Sequence, residues 1–497
     1  MLFLLTGVLA LTLEFNLSPN LRLGSEPLVL HPDRFFDSDI AVRRIARTLY
    51  DETRTLPLLC PHGHVDPVLF AQNDSFLDPT ALLFTPDHYL VRMLYSAGVP
   101  LEALGLSAVG EQEVQHTPRE IWGRFAVHYH RFLATPSGAW LDFQLHEVFG
   151  VRKRLSDSTG DRIYDEISEK LGTPEFRPRA LFERFGIEVL ATTDSAAEST
   201  EHHSTIRASG WSGRVVPTFR PDTLFEIASP AWRLELTKLE QLVCKEIDSA
   251  SGFVSALAER RLYFRALGAT ATDHGTADAY TGSLSVSEAD AIFLRARQSV
   301  VQPKHERAFR GHLLIEMARL SVEDGLVMQL HPGSFRNHNT DVATRFGPDR
   351  GGDIPVAIEF TKSLRPLLNA FGNNPQFRFV IFTLDEATYS RELAPICGHY
   401  PAVRLGCPWW FNDSVEGIKR FRAQTTETAG IWNTAGFTDD ARGLCSIPAR
   451  HDLSRRVDAN YLAQLVARHQ IGVTDARVMA HAMAYGLARD TYFSQNR

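Results

Sequence analysis

Two histidines one residue apart close an apolar run, Leu58-Leu59-Cys60-Pro61-His62-Gly63-His64-Val65-Asp66. In an extended strand residues i and i+2 face the same side, so both imidazoles can converge on one cation. Nearly the whole chain later, Thr438-Asp439-Asp440-Ala441-Arg442 breaks another apolar stretch and offers a hard carboxylate oxygen, from Asp439 or Asp440, to complete such a site. With 19 histidines in the 497 residues, about one His-x-His pair is expected by chance. A second pair, His128-Tyr129-His130, does follow the segment Ile121-Trp122-Gly123-Arg124-Phe125-Ala126-Val127. That segment reads as a helix, where residues i and i+2 diverge, so this pair is read as structural.

A metal pair on a strand end needs a sheet to hold it. Short apolar runs that break into polar or charged residues recur eight times. The first is the histidine run itself. The others are Ile187–Ala191 into Asp194, Val215–Phe219 into Arg220 and Asp222, Leu267–Ala271 into Asp273 and His274, and Leu326–Leu330 into His331. Phe379–Phe382 into Asp385, Val403–Gly406 into Trp409-Trp410-Phe411, and Ala435–Phe437 into Asp439-Asp440 complete the set. Helical patterns lie between most of them, for instance Ser287 to Arg319 and Leu462 to Arg468. Eight strands alternating with helices predict an α/β fold, a distorted (β/α)8 barrel with its active site at the C-terminal strand ends. Residues 67–186 are too long for one crossover and helical in pattern. They are read as an inserted helical subdomain at the barrel mouth. The division is then 1–25 as an extension outside the fold, 26–66 as the start of the barrel, 67–186 as the insertion, and 187–497 as the rest.

Hydrophobic residues at 44% and charged residues at 22% suit a soluble globular chain of this length. A net charge of -7 argues against a nucleic-acid partner, which would require a clustered positive surface. Five scattered cysteines, Cys60, Cys244, Cys397, Cys407 and Cys445, show no Cys-x-x-Cys spacing and fit a reducing compartment. The apolar start, Met1 to Leu13, imitates a signal segment but lacks its positive n-region and is too short to span a bilayer, so no membrane partner is expected. A secretory signal is the alternative reading of that stretch.

Arg220, Arg336 and Arg442 follow or flank three strand ends, and Arg179 precedes a fourth. A barrel would aim several guanidinium groups at its centre, where they suit a carboxylate. At this point the chain resembles the uronate isomerase (glucuronate isomerase) family of the amidohydrolase superfamily over roughly residues 27–490. The resemblance rests on Pro61-His62-Gly63-His64, Asp87-His88-Tyr89, Thr192-Thr193-Asp194 with His203, and Pro217-Thr218-Phe219-Arg220-Pro221-Asp222. Gln329-Leu330-His331 with Arg336, Trp409-Trp410-Phe411-Asn412-Asp413, and Asp440-Ala441-Arg442 with Arg450-His451 extend it.

The resemblance implies a TIM-like barrel of the metal-dependent hydrolase type, with one divalent ion, usually zinc, on His62, His64 and Asp440. It implies aldose–ketose isomerisation of D-glucuronate with D-fructuronate, and of D-galacturonate with D-tagaturonate, in cytoplasmic sugar-acid catabolism. Arg179, Asp222, His331, Arg336, Arg442 and one of Trp409 and Trp410 become substrate contacts; His88 and Tyr89, with Asp440, become acid/base groups. The expected partner is a small hexuronate, and assembly into a homo-oligomer is left open. The chain departs from the family at Cys60, where an aspartate is common, at Ser195, and at Asp439-Asp440-Ala441-Arg442, where Thr-Asp-Ser-Arg is common; Asp440 is chosen because it keeps the arginine at i+2. Two rivals share this barrel: a hydrolase with one metal, and a sugar-acid binding protein without catalysis. A two-metal hydrolase usually needs a bridging lysine, and none of the seven lysines falls at a strand end.

Overall fold

The computed structural model describes residues 26–110 and 116–494, so the extension assigned to residues 1–25 lies outside the described residues. Seven short parallel strands follow in order around the barrel, the first three in one ladder and the last four in a second: Leu58–Cys60, Ile187–Ala191, Arg214–Val216, Ala271–His274, Val327–Leu330, Phe379–Ile381 and Val403–Leu405. The eighth member is reduced to a parallel bridge between Leu405 and Thr434. The second and third strands break at Thr192-Thr193 and Pro217-Thr218, then resume as Asp194–Ser195 and Phe219–Arg220, which pair with each other and carry the ladder on to Thr272. The eighth position meets the first without a ladder; the peptide N–H of His64 donates to the carbonyl of Ala441 at 2.8 Å. The barrel is therefore distorted at one seam, and the two candidate metal-binding segments flank that seam.

Alternation along each strand decides which residues reach the barrel axis. Leu59, Val189, Ala191 and Val216 face inward and pack on Ala488. Ala271, Val327 and Val380 also face inward, against Tyr492. Their neighbours Met328, Leu330, Phe379, Ile381, Val403 and Leu405 face outward under the surrounding helices, chiefly Ala250–Ala266, Pro303–Asp324 and Val415–Ala429. The C-terminal segment thus plugs the barrel floor, where the Tyr492 hydroxyl donates to buried Gln329 at 3.2 Å. Continuing the alternation, Asp273 follows Ala271 and His331 follows Gln329 onto the inward side at the barrel mouth.

The described part of residues 67–186 is helices and turns with a single bridge from Lys153 to Pro27. Several of its helices start the same way: an acceptor side chain caps and proline follows, as at Asp78-Pro79, Thr117-Pro118 and Thr135-Pro136. The apolar faces of these helices share one cluster with the outward residues Leu58, Cys60, Leu190 and Val215. Asp87 caps the helix His88–Ser96 by accepting from the Tyr89 N–H, which fixes His88 and Tyr89 in its first turn. His128 and His130 each turn a ring nitrogen onto a backbone carbonyl of the preceding turn, those of Arg124 and Val127. Among the described residues no helix is long and apolar enough to cross a membrane.

The helical pattern from Ser287 to Arg319 belongs to two helices, Val286–Arg297 and Pro303–Asp324. Ser299 adopts φ of 59°, and Pro303, which has no N–H to donate, starts the second helix instead of continuing the first.

Gly436 has φ of 81°, and a Cβ there would lie 2.5 Å from the backbone nitrogen of Ala488 in the floor plug. Gly436→Ala combines a left-handed backbone with overpacking, so it should destabilise the protein by about 2 kcal/mol or more. Thermal melting checks this, and an unchanged midpoint would contradict it.

Candidate active site

The chain turns after Cys60 and lays His62 and His64 across the barrel mouth, where their rings meet edge to face with centroids 5.2 Å apart. Asp440 closes the group: its Oδ1 lies 3.5 Å from His62 Nε2 and 3.3 Å from His64 Nε2. One donor atom from each of the three residues falls within 4.8 Å of the others. Both ring nitrogens of His62 and the Oδ1 of Asp440 are buried without a hydrogen-bond partner. Buried polar atoms left unpaired are costly, and two imidazole nitrogens beside a carboxylate oxygen are the donor set of a divalent ion such as zinc. The residues present therefore fit a metal. Asp439 is turned away: its Oδ1 accepts from the Ala441 N–H at 3.1 Å, and its Oδ2 lies 3.4 Å from His451.

Beneath the histidines sits a buried charge cluster. Asp273 is fully inaccessible, with Oδ1 2.8 Å from His331 Nε2 and 3.7 Å from His62 Nδ1, and Oδ2 3.5 Å from Arg220 Nη1. Burial pushes its pKa up, but the His331, His62 and Arg220 charges outweigh that and hold the carboxyl well below the usual range. Arg220 donates Nε to Asp222 at 2.6 Å, and Asp222 also accepts from the Gly275 N–H. A Cβ at residue 275 would fall within 2.8 Å of His331, Arg220 and Asp222 at once, so only glycine lets the three converge.

Above this floor opens a cavity of about 910 Å³. His64, His88, Tyr89, Arg220, Asp222, His331, Arg336, Trp409, Trp410, Asp440, Arg442 and Arg450 all contribute to its wall. Trp409 packs edge-on against His331 and His62, with ring centroids 4.8 and 6.0 Å away. Arg336 lies over Trp410 at 5.0 Å and pairs with Asp353 at 2.6 Å. Arg442 pairs with Asp349 at 2.5 Å near the rim. Arg450 is buried, bonds Asp413 at 2.9 Å and stacks on Trp140 at 3.8 Å.

His88 and Tyr89 stack with centroids 4.4 Å apart, and both ring nitrogens of His88 are buried without partners. Burial, aided by the Arg442 charge, pushes the His88 pKa down to about 4, so its ring is neutral at neutral pH. Burial holds the Tyr89 phenol well above its ordinary range, with the Asp440 carboxylate adding to that, so the phenol keeps its proton. A neutral acceptor thus stands beside a protonated donor.

Of the substrate contacts expected from sequence, all but Arg179 reach this cavity. Arg179 instead caps the neighbouring helix: its Nε donates to the Phe70 carbonyl at 2.9 Å and its guanidinium lies over Trp211. The guanidinium that faces the cavity floor is Arg220. Asp273 and Arg450 were not singled out as site residues from sequence. For Asp273 a signal existed, its place at a strand end two residues after an inward alanine; Arg450, on the long helix Ser446–Ala467, was marked only as part of the Arg450-His451 motif, without a role.

A family model described as glucuronate isomerase matches residues 33–493. A uronate isomerase of Rhizorhabdus wittichii is 50% identical over 470 residues, covering 95% of this chain and 100% of the relative. A uronate isomerase of Nostoc punctiforme is 52% identical over 466 residues, covering 93% and 98%. The crystal structure of a glucuronate isomerase from Caulobacter crescentus superposes with a TM-score of 0.93 at 46% identity, covering 95% of this chain and 98% of that one.

Removing the Asp273 charge would leave Arg220 and His331 facing each other in a dry interior. Asp273→Asn should cost about 3 kcal/mol or more of stability, read by chemical denaturation. A loss below about 0.5 kcal/mol would show that the cluster holds nothing together.

Proposed function

The chain belongs to the glucuronate isomerase family, and on that footing we propose that it is an aldose–ketose isomerase interconverting D-glucuronate and D-fructuronate in sugar-acid catabolism. We take D-galacturonate and D-tagaturonate as a second substrate pair. The observation that carries the reading is the His62–His64–Asp440 donor set, in which both His62 nitrogens and the Asp440 Oδ1 are buried without a hydrogen-bond partner, meeting the arginines of the wall at a cavity that His64 and Asp440 line. A sugar-acid binding protein needs the arginines but has no use for buried unpaired donors. A two-metal hydrolase is disfavoured because no lysine lines the cavity.

The reaction moves a proton from C2 to C1 of the open-chain sugar and a second proton from O2 to O1, through an enediol. A zinc ion held by His62, His64 and Asp440 would supply Lewis-acid polarisation of the substrate carbonyl. Arg336 and Arg442 on the rim bind the C6 carboxylate, exchanging their ion pairs with Asp353 and Asp349 for the substrate. That places the aldehyde end toward the histidines and the chain along Trp409 and Trp410. Neutral His88 accepts the carbon proton, the Tyr89 phenol beside it gives one to the neighbouring carbon, and the proton on His88 then passes to the tyrosinate, restoring both groups. Asp440 relays the hydroxyl proton between O2 and O1; burial raises its pKa, but His62 and His64 outweigh that and keep it ionised. His331, fixed by Asp273, and Asp222, fixed by Gly275, orient the sugar hydroxyls. We place the helical segment 67–186, which supplies His88 and Tyr89, as an inserted subdomain at the mouth, and the enzyme in the cytoplasm with no nucleic-acid or membrane partner.

Purified protein should convert D-glucuronate to a ketose, followed by coupled reduction, and lose that turnover when a strong chelator strips the metal. Tyr89→Phe and Asp440→Asn should each fall by about 10²-fold or more while the fold survives. Near-normal turnover in either variant, or full activity after verified metal removal, would refute the role concerned.

The pH profile gives a separate check. Because the His88 pKa is depressed, its acceptor form persists below the ordinary histidine range and is lost only as pH falls toward about 4. The acid limb of kcat/KM should therefore lie well below pH 6.5, and a limb near that value would contradict His88 as the acceptor.

A further inference from the structure

Asp440 adopts φ of 48°, a left-handed backbone that residues other than glycine rarely hold without support. Support comes from the peptides on either side. The carbonyl of Asp439 accepts from Arg450 Nη1 at 3.0 Å, and the Ala441 carbonyl accepts from the His64 N–H at 2.8 Å. The Ala441 N–H donates to the Asp439 carboxylate at 3.1 Å, closing an Asx turn directly around Asp440. The second oxygen of that carboxylate lies 3.4 Å from His451 Nε2, whose far neighbour is the Cys60 sulfur at 4.0 Å. Asp439, His451 and Cys60 are all buried and none belongs to the cavity wall.

We propose that Asp439 is a positioning residue: its carboxylate, anchored by His451, clamps the turn that aims the Asp440 side chain at His62 and His64. The same group also looks like a metal site, since Cys60, Asp439 and His451 bring ligand atoms within 4.8 Å of one another. The clamp explains it better, because one Asp439 oxygen is already committed to a peptide N–H, the other faces His451, and the Arg455 charge bears on Cys60 where a cation would lie. The inference rests on the reading of His62, His64 and Asp440 as metal ligands, but not on the identity of the sugar. Outer partners of metal ligands are known to tune affinity through orientation alone.

The test measures metal affinity by chelator competition on the purified full chain, using zinc, with the visible absorption of the cobalt-substituted protein as a second readout. Asp439→Ala removes the acceptor and should weaken zinc binding by about 10- to 100-fold, whereas Asp439→Asn keeps an acceptor oxygen and should stay within about threefold of the parent. The cobalt spectrum should change in the alanine variant, and kcat should fall with KM for the sugar little altered. Should Asp439→Ala fail to fold, Asp439→Thr and Asp439→Val serve instead: they share a shape, and only threonine offers an oxygen to the Ala441 N–H. Equal zinc affinity in the threonine and valine variants, or parent-like affinity in the alanine variant, overturns the proposal. A parent protein that binds no zinc at all overturns the metal reading as well, and a second zinc equivalent lost on Cys60→Ala would replace the clamp with a metal site.

Discussion

One backbone hydrogen bond carries an unusual share of this architecture: the His64 N–H to the Ala441 carbonyl, 2.8 Å long, across the seam where the eighth strand position meets the first. The rest of the barrel closes through ladders of parallel pairs. Here the ladder is missing, and the two chain segments are free of the regular register that would turn their side chains alternately in and out. That freedom lets His62 and His64 lie together over the mouth and lets Asp440 take a left-handed backbone toward them. A regular ladder at this seam would give a more uniform barrel and a poorer cation site.

Near the seam, buried carboxylates are set against opposite charges. Asp273 is balanced by His331 and Arg220, and Asp413 by Arg450. Burial, with the Asp440 and Asp439 charges, pushes Asp413 up to about 7 despite that partner. The ring nitrogens of His62 and His88 and the Asp440 Oδ1 are buried there without a hydrogen-bond partner. Preorganised polar groups in a dry site act more strongly on charge that develops during reaction than the same groups in water.

Much of the barrel was legible because burial and chemistry fall at the same points in the chain. Most of the eight apolar runs end close to where a strand reaches the mouth, so Asp222 and His331 could be placed there from sequence; the Leu267–Ala271 run instead leads into the strand Ala271–His274, and Ala435–Phe437, before Asp440, follows only the bridge at Thr434. Asp440 was preferred to Asp439 because it keeps the arginine at i+2; what adjacency in sequence cannot reveal is the turn that points Asp439 to the Ala441 N–H and His451. Arg179 was misplaced because a guanidinium that suits a carboxylate suits helix carbonyls and an indole face equally well. Asp273 was passed over because its partners, His331, His62 and Arg220, come from distant parts of the chain and meet it only in the folded barrel, where the glycine at 275 leaves room for His331 and Arg220. Within the 287–319 helical pattern the apolar spacing does not show the break that Ser299 and Pro303 impose locally.

The central claim is that a divalent ion sits among His62, His64 and Asp440 and that the sugar acid lies between it and the rim arginines. The most direct measurement is a crystal structure of the metal-loaded protein with a non-reacting hexuronate analogue, using anomalous scattering at the zinc edge. The account predicts one anomalous peak about 2.0–2.2 Å from a nitrogen of each histidine and an oxygen of Asp440, with the analogue's carboxylate against Arg336 and Arg442. A peak on Cys60, Asp439 and His451 instead, or an analogue bound with its carboxylate at the metal end and no contact to either arginine, would contradict it.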